Sequence, residues 1–228
     1  MKKNSAAFTL IELLVVISII AILATFAVPA VTTALTKGQM TGTMNNARQL
    51  YLAAFQMATD GAANSDPNFS WPGDDSAIAT SSDLTAFAQK LVQNDYLKAG
   101  DLQKILSAPG ATCTATADGA NPPNVTLGGT SALKVYKVRD VDPASAIFVT
   151  TSNYIYNTVP TATAAPYADK GFVVVRKGGD ASTFRKNQST QANYGNDVRK
   201  FQAAIGKLPG DADGTISAES DKILKYPQ

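Results

Sequence analysis

The stretch Phe8–Val28, FTLIELLVVISIIAILATFAV, constrains this chain more than any other. It is 21 residues long and almost wholly apolar. At about 1.5 Å rise per residue it reaches roughly 31 Å as a helix, enough to cross a bilayer. Lys2 and Lys3 precede it, and one carboxylate, Glu12, interrupts it near its start. The remainder of the chain reads as a water-soluble domain hung from one hydrophobic rod.

Composition supports that division. Hydrophobic residues make up 45 % of the 228, yet the mean hydropathy is −0.04, so the apolar excess is concentrated at the N-terminus. Removing an N-terminal helix leaves roughly 170 residues, a size that suits one domain with a single core. The formal net charge is +2, which Lys2 and Lys3 supply alone. The rest is balanced and gives no electrostatic case for nucleic acid. One cysteine, Cys113, excludes an intrachain disulfide. The chain has no histidine, which excludes serine–histidine hydrolysis and histidine-based metal catalysis by this chain alone.

Three readings compete for residues 1–28. A signal peptide has a basic start, an apolar middle and small residues at the cut, but its apolar run is usually only ~7–15 residues long and carries no glutamate. A plain transmembrane anchor keeps Lys2 and Lys3 in the cytoplasm and exports the domain, with Glu12 snorkelling to the headgroups. The third reading comes from a likeness. Residues 7–24, AFTLIELLVVISIIAILA, resemble the N-terminus of the type IV pilin and type II secretion pseudopilin superfamily. The resemblance implies a short basic leader, residues 1–7, cut at the Ala7–Phe8 junction by a prepilin peptidase, then N-methylation of Phe8. Glu12 stands where that family carries its assembly glutamate, and Pro29 where family helices often carry a proline. One departure is Ala7, since the residue before the cut is usually glycine; alanine is small enough for cleavage, with slower processing expected.

Physics makes this arrangement intelligible. A carboxylate at the middle of a membrane helix costs roughly 2.5–3.5 kcal/mol on insertion scales, so it is usually kept for a partner. Cleavage would create a positive amino terminus at Phe8, one helical turn from Glu12. In the resembled family the glutamate of an incoming subunit pairs with a neighbour's amino terminus in the growing filament.

Further along, Pro29 lacks its helical hydrogen bond and is expected to kink or locally melt the helix. Thr32–Thr59 keeps helical periodicity, with Leu35, Met40, Met44, Ala47, Leu50, Tyr51, Ala54, Phe55 and Ala58 near one face, read as the seam packed on the domain's own sheet. Asp60-Gly61 is the expected stop. Residues 61–82 read as loop, with Trp71 tucking it onto the domain. A second helix is expected over 84–97, capped by Asp83, with a short extra turn at 102–106. Residues 111–129 read as loop, and Cys113 within it as incidental. Short β runs come next, at 133–138, 146–150, 154–158, 171–176 and 183–186; a hairpin-like spacing separates 146–150 from 154–158, and Lys177-Gly178-Gly179-Asp180 makes a good hairpin turn. A last helix over 195–205 has Asn196 as its cap.

The C-terminal stretch Pro209–Asp221, PGDADGTISAESD, partly resembles a calcium loop of the EF-hand type. Asp211 and Asp213 fall on ligand positions, but Pro209 cannot ligate through a side chain and the final position is Ser220. A true EF-hand is therefore not expected. Several pseudopilins hold calcium in a C-terminal loop, so Asp211 and Asp213 are candidate metal ligands, with a solvated Asp-Gly turn as the alternative.

These readings combine into an α+β, pilin-like fold. Residues 1–7 are a leader, 8–59 an N-terminal helix (8–28 transmembrane, 29–59 amphipathic) and 60–228 an exported globular domain with a small antiparallel sheet. The resemblance implies a bacterial inner-membrane precursor, C-terminal domain outside the cytoplasm, that matures into a subunit of a pseudopilus or type IV pilus. Its implied partners are copies of itself or other pilins, the prepilin peptidase and an assembly platform membrane protein. The lack of a C-terminal cysteine pair leans toward the pseudopilin. No cofactor beyond the candidate calcium is expected, and the chain is expected to catalyse nothing. The competing class is an exported enzyme or binding domain that uses the apolar run only as signal or anchor.

Overall fold

The computed structural model describes residues 9–227. The leader, Ala7 and Phe8 lie outside the described residues. The chain forms two compact units, one ending at Gly38 and one beginning at Gln39.

Helix α1 runs Leu10–Asn64. In the first unit its apolar side chains are exposed, from Leu10 and Ile11 through Ile17, Ile20 and Leu23 to Val31 and Leu35. Among the described residues this is the one helix long and apolar enough to cross a membrane. The helix does not melt at Pro29. Proline withholds one N–H donor, while the turns on either side still propagate. The Pro29 carbonyl also accepts hydroxyl bonds from Thr32 at 3.0 Å and Thr33 at 2.8 Å.

In the second unit α1 buries Met40, Thr43, Ala47, Leu50, Tyr51, Ala53, Ala54 and Met57. The expected seam is therefore largely present, but Leu35 and Phe55 lie outside it, 61 % and 48 % exposed. The helix passes the expected stop at Asp60-Gly61 and ends at Asn64. Gly61 is a packing residue here, because a Cβ on it would lie 1.7 Å from the Phe69 carbonyl oxygen. Its missing side chain lets the next loop cross the helix.

Trp71 is buried as expected, its ring 5.6 Å from Phe148 and 6.2 Å from Tyr51. The loop around it contains an unexpected short helix, α2 (Ser76–Ser81). Asp75 caps it, accepting from the Ala77 and Ile78 amides at 3.0 and 3.1 Å, and also pairs with Lys90. Helix α3 (Leu84–Gln93) has the expected Asp83 cap, which accepts from Thr85 N at 2.8 Å. It stops four residues short of Leu97, where Asp95 takes a positive φ of 59° and the Leu91 carbonyl receives the amides of Tyr96 and Leu97. Helix α4 spans Ala99–Ile105.

Residues 111–129 hold a hairpin in place of the expected loop. Strands β1 (Cys113–Ala117) and β2 (Val125–Gly129) pair antiparallel. Their inward residues Cys113, Ala115, Val125 and Leu127 alternate with exposed threonines. Small inward side chains and threonine make such strands look polar in composition while keeping the period of two.

The main sheet is four-stranded in the order β3 (Leu133–Val135), β4 (Ile147–Thr151), β5 (Phe172–Arg176), β6 (Ala181–Phe184), all antiparallel. The turn between β5 and β6 is the expected one, with Gly179 at φ +86°. The strand expected over 154–158 is absent. Tyr154 and Tyr156 are instead buried in a turn, their hydroxyls donating to the carbonyls of Ser189 and Gly206, each at 2.8 Å. Strands β4 and β5 are buried along their whole length. One face meets α1 through Phe148 and Val175; the other meets α5 (Val198–Ile205) through Phe172, Val174, Phe201 and Ile205. Asp197, not Asn196, caps α5. Arg176 closes its other end, donating to the carbonyls of Ala204 and Ile205, a favourable place for a cation. The architecture is α+β, as expected.

Candidate functional site

The head of α1 is organised by Thr9 and Glu12. The Thr9 hydroxyl accepts from Glu12 N at 3.3 Å, and Glu12 Oε2 accepts from Thr9 N at 2.8 Å and from Thr9 Oγ1 at 2.7 Å. This is a reciprocal capping box, satisfying amide donors that the first turn otherwise leaves open. Its sequence signal is Thr9-Leu10-Ile11-Glu12, a T-x-x-E before an apolar run, which the expectation of Glu12 as an intersubunit group alone overlooks. Glu12 thus has a local structural task next to the Phe8 position, where processing is expected.

The hydroxyls that follow it in the first unit obey one rule. Ser18 donates to the Leu14 carbonyl, Thr25 to Ala21 and Thr36 to Thr32, at 2.8, 2.9 and 3.0 Å. Each polar hydrogen is taken up by the helix's own backbone, so the outward surface is effectively hydrocarbon. Such a surface suits lipid or another apolar helix.

The two candidate metal ligands are held otherwise. Asp211, with its side chain 5 % exposed, pairs with Lys222 and accepts from Ser217 Oγ at 2.8 Å and Ser217 N at 3.3 Å. Asp213 faces outward and accepts from Lys207 Nζ at 2.6 Å. That bond and the lysine charge hold its carboxyl below the usual aspartate range. The third carboxylate of the loop, Glu219, pairs with Lys134 and accepts from Tyr136 Oη at 2.6 Å and Tyr156 N at 3.0 Å. Burial of Lys134 lowers its pKa, while Glu219 acts to raise it. Among the described residues no three histidine, cysteine or acidic side chains gather as a metal-ligand group. With a lysine ammonium already on Asp211, Asp213 and Glu219, these three carboxylates do not fit a calcium centre.

Cys113 is buried, and the Tyr226 hydroxyl reaches its Sγ at 3.2 Å. Burial pushes the thiol pKa up, away from the reactive thiolate.

No curated protein and no solved structure matches the chain. Residues 2–28 match the family described as the prokaryotic N-terminal methylation motif. That match covers Lys2, Lys3, Ala7, Phe8 and Glu12 together, and the motif suggests processing and assembly of the pilin kind in general. The N-terminus of this chain is a prepilin-type cleavage and methylation segment, whose residues from Leu10 onward lie on helix α1.

Proposed function

We propose that this protein is a structural subunit of a type IV pilin-like filament, and specifically a pseudopilin of a type II protein secretion system. The observation that carries the filament reading is the prepilin segment set on a helix whose first unit is exposed hydrocarbon. In the precursor the bilayer covers that surface, with Lys2 and Lys3 cytoplasmic and the domain on the other side. Removing the leader removes the two lysines and creates the Phe8 amine. The helix is then free to leave the membrane and pack against the helices of other subunits. An assembly platform protein works at its base, and the chain itself catalyses nothing. The narrower pseudopilin reading rests on the lack of a C-terminal cysteine pair.

N-terminal sequencing and intact mass of the mature protein test this. A chain beginning at N-methyl-Phe8 supports it. A start at Val28, or an intact Met1, refutes it in favour of an exported domain freed by a signal peptidase or kept on an anchor. Glu12→Val should leave processing intact and abolish assembly. Comparing secretion with surface fibres in a deletion strain decides between pseudopilus and pilus.

A further inference from the structure

We infer that the C-terminal loop, Pro209–Asp221, is braced by lysine ammonium groups in the role a divalent cation plays in acidic loops, so that it folds independently of calcium. The inference concerns the domain alone and holds whether or not the chain assembles. Three carboxylates of the loop meet three lysines drawn from different places. Lys207 precedes the loop and takes Asp213, Lys222 lies just after it and takes Asp211, and Lys134 on β3 takes Glu219. The most enclosed of these carboxylates, Asp211, receives the ammonium together with two bonds from Ser217. The Asp211–Lys222 pair therefore ties the start of the loop to the residue just beyond its end. Glu219 fastens the same loop to the sheet through Lys134, Tyr136 and Tyr156.

The physical distinction lies in the tether. A bound cation stabilises a fold in proportion to its free concentration and is lost to a chelator. An ammonium on the same chain is always present. It also repels a dication: calcium at Asp211 would have to displace Lys222 from a carboxylate that is nearly out of water, leaving two positive groups together.

Thermal unfolding of the full chain in detergent micelles, measured with EDTA and with excess calcium chloride, tests this directly. The expected result is one melting temperature in both, with no stoichiometric calcium binding by calorimetry. A chelator-dependent fall in Tm, or a saturable calcium isotherm, overturns it. The brace itself is tested by Asp211→Asn, Lys222→Met and the pair together. Each single change should lower Tm by about 5–10 °C, because each leaves a poorly solvated partner. The double variant should lose less than the sum of the two. Additive losses overturn the brace, and if a variant fails to fold, the calcium titration of the unaltered protein still decides.

Discussion

The two units solve the same problem, the placement of polar groups, in opposite ways. In the N-terminal unit of α1 the hydroxyls of Ser18, Thr25, Thr32, Thr33 and Thr36 turn back onto their own helix, and Glu12 is held by Thr9. Each of those bonds is made within four residues. In the domain the telling bonds are long-range, such as Glu219 to Tyr136 and Asp75 to Lys90. The difference fits the proposed function. Hydroxyls bonded within their own helix need no partner from whatever surrounds it, lipid or protein. Distant pairs fix the shape of the domain itself.

Four experiments break or sharpen that contrast. Gly61→Val should have the largest effect. A side chain there meets the Phe69 carbonyl, and we expect more than ~3 kcal/mol of destabilisation, with membrane insertion unchanged. Circular dichroism with a membrane-fractionation assay reads both.

Leu50→Ala and Ile17→Ala form the second test. Leu50 is 1 % exposed and Ile17 56 %. The first should lower domain stability by about 2–5 kcal/mol in chemical denaturation. The second should leave the domain melt alone and act, if at all, on assembly. Equal losses would erase the distinction between the units.

Alkaline pH should discriminate next. Burial raises the pKa values of Tyr136, Tyr154 and Tyr156, and burial with the Asp60 bond takes Tyr96 to about 12. Each keeps its proton to higher pH folded than unfolded. Their contribution is therefore fully present below the ordinary tyrosine pKa near 10 and declines as pH rises above it. Tyrosinate absorbance should rise together with loss of domain structure. The described part of the first unit has no tyrosine, so its helical signal should persist.

Asp213→Asn should matter least. Its carboxylate is 76 % exposed, and surface pairs of this kind contribute little. A large fall in Tm would show that the outer pair, rather than Asp211 and Lys222, carries the loop.

Some of this was legible in the residues alone. The apolar run, Lys2, Lys3, the Ala7–Phe8 junction and Glu12 are close together along the chain, so their spacing is itself the signal. The same holds for the Asp83 cap and the Lys177–Asp180 turn. The features that were not legible are those decided by distant contacts. Threonine-rich 111–129 became a hairpin because Cys113, Ala115, Val125 and Leu127 found a core to face. Tyr154 and Tyr156 left the strand pattern because carbonyls at Ser189 and Gly206 took their hydroxyls. Helix α1 outran Asp60-Gly61 because Phe69 packs across Gly61. Asp211 and Asp213 show a ligand pattern in sequence; the folding of the loop turns nearby Lys222 and Lys207 onto them, and Glu219 meets Lys134 from 85 residues away. Local sequence settles what a helix exposes, because the partners are a turn away. Charge pairing and packing depend on which distant segments meet, and only the tertiary structure decides that.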